Sequence, residues 1–187
     1  MPNTLSTPSS PSLAWSRGLA WGCLALAMVL PVAALVGLWA ASPEVLLAQA
    51  GVQLPAGAVM PAASLALWQR VLAVALGLLP VAGMAYGLVR AWQCFSGFAR
   101  GAVFSLGTVR HLRGFASGLL AASVAGLLAP TLLSALLTWG APAGSRSLAV
   151  ALGGQHLLML LFAGIVWQIA HAMARAIEIA DDNAQIV

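Results

Sequence analysis

An all-α membrane protein, folded as an antiparallel bundle of four transmembrane helices, is the fold class this sequence predicts, and three observations carry it. Of its 187 residues, 61% are hydrophobic and only 6% charged, against about 25% charged in an ordinary soluble domain. The mean hydropathy is +0.98. The few charges stand between long uncharged runs rather than within them. Such a chain has too little polar surface to cover a water-soluble globule, which excludes soluble enzymes, disordered regulators and nucleic-acid-binding domains.

Taken in order, residues 1–13 read as a disordered cytoplasmic tail, because Met1 to Pro11 is rich in Ser, Thr and Pro. Residues 14–187 read as one membrane domain. The first span, 18–41, exceeds the roughly 20 residues needed to cross about 30 Å of hydrocarbon. A cleaved signal peptide competes for this stretch, but its apolar run is longer than the roughly 7 to 15 residues of such a segment. An extracytoplasmic loop follows over 42–64. Its Gly51, Pro55, Gly57 and Pro61 exclude a span, since lipid-exposed backbone must complete its own hydrogen bonds. At its start, Ser42-Pro43-Glu44 supplies a capping hydroxyl, a proline at the first helical position and an acid in the first turn, predicting a short interfacial helix to about Ala50. Spans two, three and four are placed at 65–90, 114–139 and 148–173. The last two are parted by Gly140-Ala-Pro-Ala-Gly144 and Arg146.

Sidedness follows from arginine. Arg17, Arg90, Arg100, Arg110, Arg113 and Arg175 fall on the face that holds both termini, the loop 91–113 and the tail 174–187, whereas Arg70 and Arg146 fall on the other. The positive-inside rule therefore puts both ends in the cytoplasm. The tryptophans agree, with Trp15, Trp21, Trp92 and Trp167 near inner ends and Trp39, Trp68 and Trp139 near outer ones. All basic residues are Arg, and Ala and Gly abound, a usage expected of a GC-rich bacterial genome. The expected location is the bacterial inner membrane. The net charge of +4 then points to anionic lipid headgroups at the cytoplasmic face. Cys23 and Cys94 both fall on that reducing side, so no structural disulfide is expected.

Chemistry-bearing patterns are sparse. No nucleophile elbow, phosphate loop, zinc motif or pair of intramembrane acids occurs, and neither an enzyme nor a cofactor is expected. His111, His156 and His171 invite a haem reading, but only His111 and His171 share a predicted depth. His156 is placed with Gln155 near the outer end of span four. Pro31, Pro80 and Pro130 lie inside spans one to three, each removing the donor that the carbonyls of Ala27, Leu76 and Gly126 would use. They either shape packing or open a pocket. The tetrapeptide Leu-Pro-Val-Ala recurs at Leu30–Ala33 and Leu79–Ala82. Gly18-x-x-x-Gly22, Gly83-x-x-x-Gly87 and Gly114-x-x-x-Gly118 have the spacing of closely approaching helices, which supports tight packing and leaves a homodimer open. Ser117, Ser123, Thr131, Ser134 and Thr138 are expected to bond to neighbouring helices. Arg70, inside span two, should snorkel outward or pair with Glu44, the only acid on its side.

The cytoplasmic face is the richest region. Ser105 is positioned to cap a helix that carries Arg110 and Arg113 into span three. Glu178, Asp181 and Asp182, with Asn183, oppose the macrodipole at the end of span four, which suggests docking on the basic segment around Arg100, Arg110 and Arg113. Gly101-x-x-Phe104-Ser105 followed by Arg110-x-Leu112-Arg113-Gly114, together with the ending Ala176 to Val187, resembles the bacterial four-span membrane family known as domain of unknown function 2975. Where that family carries an acid and Asn after Phe-Ser, this chain has Leu106, Gly107 and Thr108. The resemblance implies a four-span inner-membrane fold and no activity. The expected role is a non-enzymatic interaction or regulatory subunit that uses the basic loop and acidic tail toward a membrane or cytoplasmic protein. The alternative is a binder or transporter component for a small apolar ligand among the kinked helices. A large pocket at the proline level favours the second, and a dry core the first.

Overall fold

The computed structural model describes residues 11–49, 66–100, 105–139 and 154–184. The rest lie outside the described residues, including most of the first tail, the stretch from Ala50 to Ser64, the breaker at 140–144 and Gln185 to Val187. Five helices form: α1 (Pro11–Ala40), α2 (Pro43–Gln49), α3 (Leu67–Ala99), α4 (Leu106–Leu137) and α5 (Gly154–Ala184). Four contain stretches long and apolar enough to cross a membrane, at Trp15–Ala40, Leu67–Ala99, Leu106–Leu137 and Gly154–Ala180. The chain is a multi-pass membrane protein built as a bundle of helices. Its exposed residues say the same: Met28, Val32 and Val36 on α1 and Leu158, Leu161 and Phe162 on α5 are all more than half exposed, an arrangement water would not tolerate and lipid favours.

Local signals set the helix starts. Ser105 Oγ accepts from the Thr108 amide at 3.2 Å, and the Leu46 amide donates to the Ser42 carbonyl at 3.1 Å, opening α2 where Ser42-Pro43-Glu44 predicted it. At α3, Gln69 Oε1 accepts from the Ala66 amide at 3.1 Å. The segment 91–113 departs from the expected loop on its first side only: α3 runs on to Ala99, with no proline to interrupt it, while α4 begins at Leu106 under the Ser105 cap as expected. The basic connection is thus carried largely on two helix ends, and residues 101–104 between them lie outside the described residues.

Packing runs in sequence: α1 against α3, α3 against α4, α4 against α5, with α2 touching α4. The tightest contact is α3–α4. A Cβ at Gly118 would lie 2.6 Å from both Cα and N of Gly87, and one at Gly83 would lie 2.8 Å from the Ala122 nitrogen. Two of the three expected glycine pairs therefore face each other, and backbone meets backbone across an antiparallel crossing. The third, Gly18 and Gly22, has no atom within 4 Å. At the other end of the seam α2 acts as a plug: Leu46, 1% exposed, joins Ala73, Leu133 and Leu137 in one buried cluster.

Three hydroxyls of α4 bond to carbonyls of their own helix. Ser117 Oγ donates to the Gly114 carbonyl at 2.8 Å, Ser134 Oγ to that of Thr131 at 2.8 Å and Thr138 Oγ1 to that of Ser134 at 2.7 Å. Carbonyls three and four residues back are within reach in any helix, whereas a partner on the next helix must be supplied at the right height. Ser123, fully buried, has no hydrogen-bond partner.

Candidate functional site: an intramembrane cleft

The walls of the cleft are made of residues too small to fill the space between four helices. Ala33 and Ala34 of α1, Gly77 of α3, and Ala122, Gly126 and Ala129 of α4 leave a cavity of about 560 Å³. Leu30, Met84 and Met159 add apolar surface. Pro80 and Pro130 line it, and Pro31 does not, although its neighbours Leu30 and Ala33 do. Both copies of Leu-Pro-Val-Ala thus contribute to one space. Among the described residues no Arg, Lys, Asp or Glu is part of the wall, and its polar side chains are Gln49, Gln155 and His156.

His156 is the unusual member. Its ring lies where a Cβ on Gly126 would be, with Nε2 at 2.6 Å and Cδ2 at 2.7 Å from that point, so only glycine leaves room for it. Its Nδ1 is buried and has no hydrogen-bond partner among the described residues. His156 lies with Gln155 in the first turn of α5, at the end of span four where it was expected. Gly126 lies about three turns inside the Leu137 end of α4, so the first turn of α5 starts against the middle of α4. Register explains the offset: the His156–Gly126 contact and an Arg113 Nη2 to His171 Nδ1 contact at 3.4 Å together fix how far α5 is slid along α4. Chain order carries no such information.

The other expected residues are distributed at the two ends. Arg70 does not pair with Glu44. Its Nη2 donates to the Trp39 carbonyl and its guanidinium lies 5.6 Å from the centroid of the Trp39 ring, while Glu44 is exposed on α2. Trp39 belongs to the last turn of α1, whose carbonyls lack intrahelical donors and form the negative end of the helix. This acceptor lies on a helix packed against α3, which makes it a nearer partner than an exposed acid on a separate short helix. At the opposite end, Arg90 lies over Gly114, donates to Tyr86 Oη at 3.1 Å and to Gln93 Oε1 at 3.3 Å, and sits 5.1 Å from the centroid of the Tyr86 ring.

Arg113 Nε and His111 Nδ1 are buried without partners. Arg100 and Arg110 are exposed, and so are Glu178 and Asp182 on α5, which continues as helix through Asp181 and Asn183 to Ala184. Among the described residues no ion pair joins these acids to the arginines, so the expected docking is not made there. Also among the described residues, no three His, Cys, Asp or Glu side chains gather as metal ligands, and Cys23 and Cys94 are free thiols.

The prolines were legible in the sequence as candidates for this space, whereas His156, Gln155 and Gln49 were not legible as their partners. One signal was available: Pro130 deprives the Gly126 carbonyl of its helix donor, and Gly126 is also the residue that seats the histidine. No protein-family model, curated protein or solved structure matches the chain.

Proposed function

We propose that this protein is a binder, or the binding component of a transporter, for a small apolar molecule held in the cleft. The observation that carries this reading is the cavity itself. Its volume of about 560 Å³ falls within the roughly 300–1,000 Å³ of small-molecule sites, and its wall has their composition, mostly apolar with a few polar groups. A dry, filled core would have favoured a purely structural or regulatory subunit. The function is non-enzymatic in this reading. The membrane is the bacterial inner membrane, with the arginine-bearing helix ends at its cytoplasmic face and anionic headgroups beside them, in keeping with the resemblance to domain of unknown function 2975.

A second reading keeps the interaction subunit. It is favoured by exposed charges of both signs at one end of the bundle, Arg100 and Arg110 beside Glu178 and Asp182, which are available to a partner protein.

The test uses the full chain purified in mild detergent, with its co-purifying small molecules identified by mass spectrometry. A defined apolar compound is expected with the wild-type protein and should be lost from Ala33→Trp, which fills the cleft, while that variant still elutes as a single species. Wild-type protein that carries none, or a compound equally retained by Ala33→Trp, would overturn the proposal.

A further inference from the structure

Resting on that reading, we infer that the molecule held in the cleft is a neutral lipid with one hydroxyl or carbonyl group, and that this group is bound at the level of His156 rather than at either membrane face. Three observations converge on the point. First, among the described residues no charged side chain lines the cavity, and an anionic head carried into such a wall would lose its hydration without a counter-charge, at a cost of several kcal/mol. A phospholipid or fatty-acid anion is thereby disfavoured.

Second, among the described residues His156 has no hydrogen-bond partner, and its Nδ1 is buried. A neutral imidazole offers one donor and one acceptor. An orphaned polar atom deep among apolar helices is costly, and ionisable residues at such depth face cavities and mark ligand paths. Gln155 and Gln49 add amide donors and acceptors to the same wall. Third, Pro130 cannot donate to the Gly126 carbonyl, so the same residue that accommodates the imidazole also carries an acceptor without its usual helix donor. A hydroxyl can both donate and accept, and a carbonyl can accept, whereas a hydrocarbon satisfies none of these groups. The remaining wall, from Leu30 and Met84 to Met159, suits the chain of such a lipid.

Photolabelling of the full-length protein in detergent with a diazirine-bearing hexadecanol, the matching hexadecane and the matching hexadecanoate separates the alternatives. The alcohol is expected to label cleft residues about 5-fold more than the alkane, the gain of one to two net hydrogen bonds. This preference should vanish in His156→Phe and persist in His156→Asn. Equal labelling by alcohol and alkane in the wild-type chain overturns the inference without recourse to any variant, and so does stronger labelling by hexadecanoate or a preference that survives His156→Phe. In the case of equal labelling the proposed function stands. Failure of every probe to label the cleft removes the proposed function and this inference with it.

Discussion

The α3–α4 seam and the cleft beside it are built from the same small residues, yet one is closed and the other open. In the seam, Gly83 and Gly87 meet Gly118 and Ala122 at matching heights, so the absence of side chains draws two backbones into contact. In the cleft, Gly77 receives the side chain of Leu38 from α1 and Gly126 that of His156 from α5, so side chains rather than backbones bridge the gap, and beside Ala122 and Ala129 a cavity remains. Small residues therefore specify close approach only where a second small surface stands opposite in register. Where the opposing helices are α1 and α5, which pack on α3 and α4 rather than on each other, they leave space, and the polar groups of Gln49, Gln155 and His156 gather there.

The sharpest way to break this contrast is to add a side chain to the seam. Gly118→Leu places a Cβ 2.6 Å from the Gly87 backbone, which cannot swing aside, and the expected loss is about 3 kcal/mol, read from thermal unfolding in detergent. Gly22→Leu on the open face of α1, with nothing within 4 Å, should stay within about 0.5 kcal/mol of wild type. A large loss in the second would show that α1 has a partner at that face.

A middle-sized effect is expected at the end of α1. Arg70→Ala removes the donor to the Trp39 carbonyl and the guanidinium over its ring, at a cost of about 1 kcal/mol. Glu44→Ala should cost nothing measurable, since the structure gives it no part in holding Arg70. Equal losses in both would restore an Arg70–Glu44 pair.

The smallest stability change is expected in the cleft. Gly126→Ala gains about 1 kcal/mol of helix propensity but sets a methyl group 2.6 Å from His156 Nε2. The ring ends a short side chain next to open space, so it should rotate into the cavity, leaving the melting temperature within a few degrees of wild type. The alcohol-over-alkane labelling preference should fall, because the imidazole is displaced from its seat against Gly126. A variant that melts far below wild type would mean that the cleft is as tightly packed as the seam.

Much of this molecule was legible without coordinates. Long uncharged runs predicted four spans, the Ser105 cap was placed correctly, Ser42-Pro43-Glu44 predicted α2, and two glycine pairs predicted the tight crossing. Each is a local rule, satisfied within a few residues or along one helix face. What was not legible depends on pairs far apart in sequence. Arg70 found a carbonyl on another helix rather than Glu44, three α4 hydroxyls bonded to their own backbone, and His156, at the start of α5, met Gly126 well inside α4.

The sequence by itself determined that this chain lives in lipid and crosses it as helices, because hydration of so many apolar side chains is too unfavourable for any other outcome and the backbone must satisfy itself within each span. Only the tertiary structure decided which small residues close a seam and which line a cavity. That choice lies in the sliding of one helix along another, a rigid-body degree of freedom that residue order leaves free and that side-chain contacts such as His156 on Gly126 set.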